Sequence, residues 1–361
     1  MKRVLYPLTL LIGFIFLMTA TSIDTDAASW VSTKNDLVTA LTKTADDEVI
    51  LSNDIYLDQR IDVVGNKELN LNGKNLMLGT GASDSGNVGK FYLNRSDNLR
   101  FGLKNGVITG GDTRGLGSHG SIIGVISVNN SANTNLVTTV QDISHTSQGG
   151  FYKGKQSKVV FKGKVTLNND QFNVRAKNMD FYGNPLNEED PENTDFYGYT
   201  SANGEPNDWS QGNGGLNLSF DGYENFRGPG QRILNINKNA KVKLKNDNNT
   251  TSNSRAYANN IANFAVINLD GSLDTEAIGT TLRTTASRYD YGAGTASGQA
   301  EINIRPGSTF KTLSTAITNT NYGTIFTYSL DINVDNPKIF DIRFFGTGQF
   351  FYSWANRGEV I

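Results

Sequence analysis

The sequence contains no cysteine, two histidines and seven prolines among 361 residues. Absence of cysteine excludes a disulfide framework, a thiolate metal site and a cysteine nucleophile. His119 and His145 alone leave no room for a multi-histidine metal centre. Neither sign of charge dominates, with 33 Lys and Arg against 35 Asp and Glu, so the basic surplus of a nucleic-acid binder is missing. The apolar run Leu8–Met18 is too short to cross ~30 Å of hydrocarbon as a helix. What the chain does have is aromatic side chains (10%), 38 glycines and 43 asparagines. Aromatics at that level are residues to be buried, which speaks against a disordered chain.

The first residues have the layout of a secretory signal. Lys2 and Arg3 precede the run Leu8–Met18, and the small residues Ala27 and Ala28 follow a polar stretch. Cleavage after Ala27 predicts a signal peptide over 1–27 and one mature domain over 28–361. The expectation is a secreted protein, extracellular or wall-associated, with no membrane insertion once the signal is removed.

After Trp30, Thr33 can cap a short helix over Thr33–Thr42, with Asp36 near its positive end and Leu37, Val38 and Leu41 on one face. The rest of the chain consists of short apolar clusters alternating at period two. Examples are Glu68-Leu69-Asn70-Leu71, Val159-Val160-Phe161, Leu216-Asn217-Leu218 and Glu301-Ile302-Asn303-Ile304, with Gly, Asn or Asp close behind. These clusters recur every ~20–30 residues, the spacing of stacked units. Asparagine at the exits, as in Asn72-Gly73, Asn105-Gly106 and Asn239-Ala240, suits left-handed backbone and amide ladders between layers. Either a parallel solenoid or a β-sandwich satisfies this pattern; the lone helix, able to cover an open end, favours the solenoid. The fold class expected is therefore all-β, a right-handed parallel β-helix with a short N-terminal capping helix. Residues 187–215 interrupt the strand pattern and read as a long acidic and aromatic loop.

Several phrases resemble a known family. Trp30-Val31-Ser32-Thr33, Leu69-Asn70-Leu71-Asn72-Gly73 and the closing Leu330-Asp331-Ile332-Asn333-Val334-Asp335-Asn336-Pro337 are similar to the pectate lyase-like adhesive domain of Gram-positive surface proteins. That resemblance implies a right-handed β-helix, a cell-envelope location and a non-catalytic adhesive role, with a host or cell-wall glycan or protein as partner. A calcium-dependent pectate-type lyase on the same scaffold is the alternative, and a structural stalk the third reading.

The enzymatic alternative has one motif behind it. Arg227-Gly228-Pro229-Gly230-Gln231-Arg232 matches the Arg-x-Pro-x-x-Arg phrase of pectate lyases, but Gly-Pro-Gly is a turn signal in its own right. Acids upstream, such as Asp142, Asp170 and Asp180, are scattered singly, and hard cations want several converging carboxylates. Asp142, Ser144 and His145 are close in sequence, but adjacency in sequence is not triad geometry, and His145 reads as a surface histidine. No catalytic residue, cofactor or metal ligand is assigned. The aromatics Phe340, Phe344, Phe345, Phe350, Phe351, Tyr352 and Trp354 read as core and cap of the last strands. Ligand contacts are expected instead from Tyr197, Tyr199 and Trp209, aromatics set among polar residues.

Overall fold

The computed structural model describes residues 28–45, 47–81, 88–112, 124–129, 131–184, 194–200, 216–220, 232–247, 260–284, 300–317, 323–327, 330–346, 349–353 and 359–360. Its one α-helix among these, α1 (Lys34–Thr42), starts where the sequence places it. Thr33 is the N-cap and a capping box is complete: Asp36 N donates to Thr33 Oγ1 (3.2 Å) and Thr33 N donates to Asp36 Oδ2 (3.2 Å). Leu37, Ala40 and Leu41 are buried, and α1 lies against the strands Ser29–Val31, Asp47–Leu51, Ile55–Leu57 and Arg60–Asp62. It covers the core at that end of the sheet.

The strands make one continuous sheet of 28, and the ladders are parallel. This excludes the antiparallel sandwich. The chain travels around the core, laying down three strands per circuit, and each strand pairs with its counterpart on the next circuit. Thus Phe196–Thr200 pairs with Lys241–Asn246, that strand with Ser272–Ala277, then Thr309–Ile317 and finally Ile339–Gly346. In most strands alternate side chains enter the main core, which runs from Val31 to Ile332. Phe161, Phe181 and Phe196 meet at its middle with ring centroids 4.8 Å apart.

The expectation of an open right-handed β-helix solenoid is corrected. The described residues form a mostly-β, nearly closed, barrel-like parallel sheet with a single short helix. Arg100–Asp112, Val137–Ser147, Gly150–Lys162 and Phe172–Phe181 each run through a corner and pair on two ladders, fusing them into one sheet. Asn105 (φ 61°) and Asp142 (φ 51°) make two of these corners inside a strand rather than after one. Period-two alternation reports which side of a strand meets the core, and that is the same however the ladders join. It could not reveal the joining. The resemblance to the pectate lyase-like adhesive domain is corrected with it, because the scaffold it implies is not the one formed.

Asparagine behaves as its exit positions suggested. Asn72 (φ 52°) and Asn239 (φ 68°) hold left-handed backbone. Along one ladder an amide chain runs from Asn333 to Asn303 (2.8 Å), Asn268 (3.0 Å) and Asn235 (2.9 Å), and ends on Asp180 Oδ1 (2.8 Å). In each link the Nδ2 donates towards the N-terminal side.

Candidate functional site

Of the three aromatics expected to contact ligand, the structure describes two. Tyr197 and Tyr199 lie on the strand Phe196–Thr200, inside the stretch expected to be loop; Trp209 lies outside the described residues. The strand's alternation buries Phe196, Gly198 and Thr200 and leaves both tyrosines half-exposed on the outer face. At ~3.3 Å per residue the two phenol rings leave the backbone ~6.6 Å apart, facing the same way.

Register decides their neighbours. Tyr197 is opposite Lys243 and Tyr199 opposite Lys245; one strand further, Lys243 meets Asp274 and Lys245 meets Glu276. Strands are ~4.8 Å apart, so rings, ammonium groups and carboxylates stand in adjoining rows. Lys245 Nζ is 3.3 Å from Asp247 and 4.0 Å from Glu276. Hydrogen bonding to Asp247 holds the Lys245 ammonium above its ordinary pKa. Burial raises the pKa of the Tyr197 phenol, with the Asp247 and Glu276 charges adding and Lys245 opposing. Tyr199 is raised by burial first and by Asp247 next. Near neutral pH the face therefore offers two neutral phenols, ammonium groups and carboxylates, with donors and acceptors interleaved.

A buried amide column supports this face from behind. Asn169 Nδ2 donates to Asn173 Oδ1 (2.7 Å), Asn173 Nδ2 to Asn217 Oδ1 (2.5 Å) and Asn217 Nδ2 to Asn260 Oδ1 (2.7 Å); Asn260 Nδ2 reaches Thr275 Oγ1 (2.8 Å). All five are fully buried. Asn173 Nδ2 also donates to the Tyr199 carbonyl (3.3 Å) and Asn217 Nδ2 to the Lys245 carbonyl (2.9 Å). Gly198, between the tyrosines, has no room for a side chain: a Cβ there would stand 2.6 Å from Asn217 Oδ1.

The remaining candidates fare differently. His145 is buried, not on the surface, with its ring 5.3 Å from Phe151. Asp142 sits at a corner and accepts from Lys164 N (2.8 Å), so with Ser144 and His145 it builds no catalytic grouping. Asp195, the last acid of the dense 188–195 run, is also buried, accepting from Asn184 N (3.1 Å) and Lys241 N (2.9 Å). Glu188, Glu189, Asp190, Glu192, His119 and Arg227 lie outside the described residues. Arg232 enters the strand Ile233–Ile236, where its carbonyl accepts from Ala265 N (3.1 Å) and Val266 N (3.0 Å). Among the described residues no group of three or more His, Asp or Glu is placed to hold a metal ion.

Sequence reasoning named the tyrosines and missed Lys243, Lys245, Asp247, Asp274 and Glu276. Lys241-Val242-Lys243-Leu244-Lys245 and Leu273-Asp274-Thr275-Glu276 signal half-buried strands plainly. Nothing local says which strands stand beside Phe196–Thr200.

The adhesive module, the pectate-type lyase and the stalk are corrected together: each depends on an open β-helical scaffold, and the sheet is nearly closed. The parallel β-helical and pectate lyase-like character expected of the chain is withdrawn with that scaffold. Among the described residues no helix is long and apolar enough to cross a membrane. Comparison with protein-family models, with curated proteins and with solved structures finds no match.

Proposed function

We propose that this is an exported protein that recognises a neutral, hydroxyl-rich glycan on the face built by Tyr197, Tyr199, Lys245, Asp247 and Glu276. One observation carries the reading: two half-exposed tyrosines project side by side from a strand braced by buried asparagines, with a Lys–carboxylate row beside them. Sugar rings present C–H faces that pack on aromatic rings and hydroxyls that bond in pairs to carboxylates and ammonium groups. The two lysines and three acids of the face nearly balance, which suits a neutral sugar better than a polyanion. Export rests on the signal layout of residues 1–27.

Screening the purified protein on a glycan array, then titrating the tightest ligand, tests the proposal. Replacing Tyr197→Ala and Tyr199→Ala together should weaken binding about tenfold or more, ~1.4 kcal/mol, with an unchanged circular dichroism spectrum. Glu276→Gln should weaken it less, since one partner of Lys245 remains. Binding that survives loss of both rings would remove the face from consideration, and an array without hits would end the glycan reading.

A further inference from the structure

The two tyrosines stand on a longer strip of the outer face. Going towards α1, Thr166 and Asn168 lie next to Tyr197 and Tyr199 in register, then Ser144 and Thr146, then Val107 and Thr109. Ile108, His145, Leu167 and Gly198, between the members of each pair, are buried, so the pairs themselves face outward. The strip continues through Met77, opposite Thr109, to Tyr56, opposite Met77; these two are 38% and 55% exposed. Its width is two side chains. The corners at Asn105 and Asp142 come just before Val107 and Ser144, and the buried Asn169 and Thr200 just after Asn168 and Tyr199. Its length from Tyr199 to Tyr56 is five strand spacings, about 24 Å. Charge divides the two sides of the tyrosines. Towards α1 the pairs carry hydroxyl, amide or apolar groups, whereas the other side begins with Lys243 and Lys245 and then Asp274 and Glu276.

We propose that this face takes a linear, uncharged polysaccharide, its chain running across the strands from Tyr199 over Asn168, Thr146 and Thr109 to Met77 and Tyr56. The inference deepens the glycan reading of the tyrosine face and rests on it. A ligand lying along a strand would leave the face after two side chains, while one lying across the strands keeps contact through six of them. A pyranose with its linking oxygen is about as long as the ~4.8 Å step between strands, so each strand can meet one sugar. The Thr109 and Thr146 hydroxyls and the Asn168 amide present a donor and an acceptor at three successive steps, matched to sugar hydroxyls. Tyr199 at one end, and Met77 with Tyr56 at the other, supply apolar surface for C–H faces of the rings. A polyanionic chain would find no cation at these positions to offset its charge.

Titration with linear β-glucan, xylan, mannan and chitin oligomers of graded length, from disaccharides upward, tests the course of the chain. Affinity should climb with added sugars to about six, one for each strand of the strip, and then level off. Thr146→Arg, at an exposed position two strands from the tyrosines, should lower the ratio of six-sugar to two-sugar affinity about tenfold. Tyr56→Ala should lower the same ratio several-fold, and decides the matter should Thr146→Arg fail to fold. Affinity already complete with two sugars, or a ratio that neither variant moves, would overturn the cross-strand course and leave the tyrosine face as a site for short or terminal sugars. Tighter binding to polygalacturonate than to every neutral oligomer would overturn the preference for an uncharged chain. Affinities unchanged by Tyr197→Ala with Tyr199→Ala, or no binding of any oligomer, would overturn the glycan reading and this inference together.

Discussion

His145 shows how a single residue can be placed against its local pattern. Inward positions run through Thr138 and Val140, and strict alternation would then turn His145 outward. Asp142, with φ 51°, occupies a corner and shifts the phase, so that Ile143 and His145 point into the core. Burial then lowers the imidazole pKa from 6.5 to about 4, only partly offset by its bond to the Gly110 carbonyl. Folded pKa is below unfolded, so on acidification the unfolded chain takes up the proton first. Stability is full above about pH 6.5, falls as pH drops towards 4 and levels off below it. A depression of this size corresponds to about 3 kcal/mol. Urea unfolding at several pH values should show that loss in the wild-type protein and a flatter profile in His145→Leu. Parallel profiles for the two proteins would mean that another group governs the acid limb.

Among the elements, the strand Leu216–Ser219 is informative because all four of its residues are buried. Leu218 joins the main core and Leu216 packs with Phe172 and Ala262, leaving Asn217 to face the corner beside Gly198. There it links Asn173 to Asn260 and bonds the Lys245 carbonyl. Asn217→Ala strands polar atoms of both neighbours in a dry site, a cost of about 1–3 kcal/mol. Denaturant titration should find that loss. Glycan affinity should drop as well, since Phe196–Thr200 would lose its brace. An Asn217→Ala protein as stable as wild type would show that water fills the column without penalty. Helix α1, by contrast, follows from its own residues: Thr33, Asp36, Leu37 and Leu41 suffice to start it and give it a buried side.

For the whole molecule, the decisive feature is one core threaded through all three ladders. Phe181 is fully buried in it, stacked on Phe161 and edge-on to Phe196. Those rings come from three different strands on neighbouring circuits of the chain, so Phe181→Ala opens a cavity that no single strand can close. A loss of about 3–5 kcal/mol is expected. Trp30, 63% exposed beside the first strand pair, is the control: Trp30→Ala should change stability by no more than ~0.5 kcal/mol. Thermal melts of both variants check the pair. Similar losses for the two would mean that burial in this core does not set stability.

By itself, the sequence determined whatever depends on neighbours within a few residues. The capped helix, the half-buried strands and the left-handed asparagines are local chemistry, legible from Thr33-Lys34-Asn35-Asp36, from period-two alternation and from Asn72-Gly73. It also marked Tyr197 and Tyr199 as aromatics in polar company. Only the tertiary structure decided that corners such as Asn105 and Asp142 join the ladders into a nearly closed sheet, and that His145 lies inside it. It alone brought Lys245 and Glu276 beside the tyrosines, across 46 and 77 residues of chain respectively from Tyr199. Alternation in a strand records one bit per residue, inside or outside. Register and corner geometry fix which outside residues meet, and they arise from packing between strands remote in sequence.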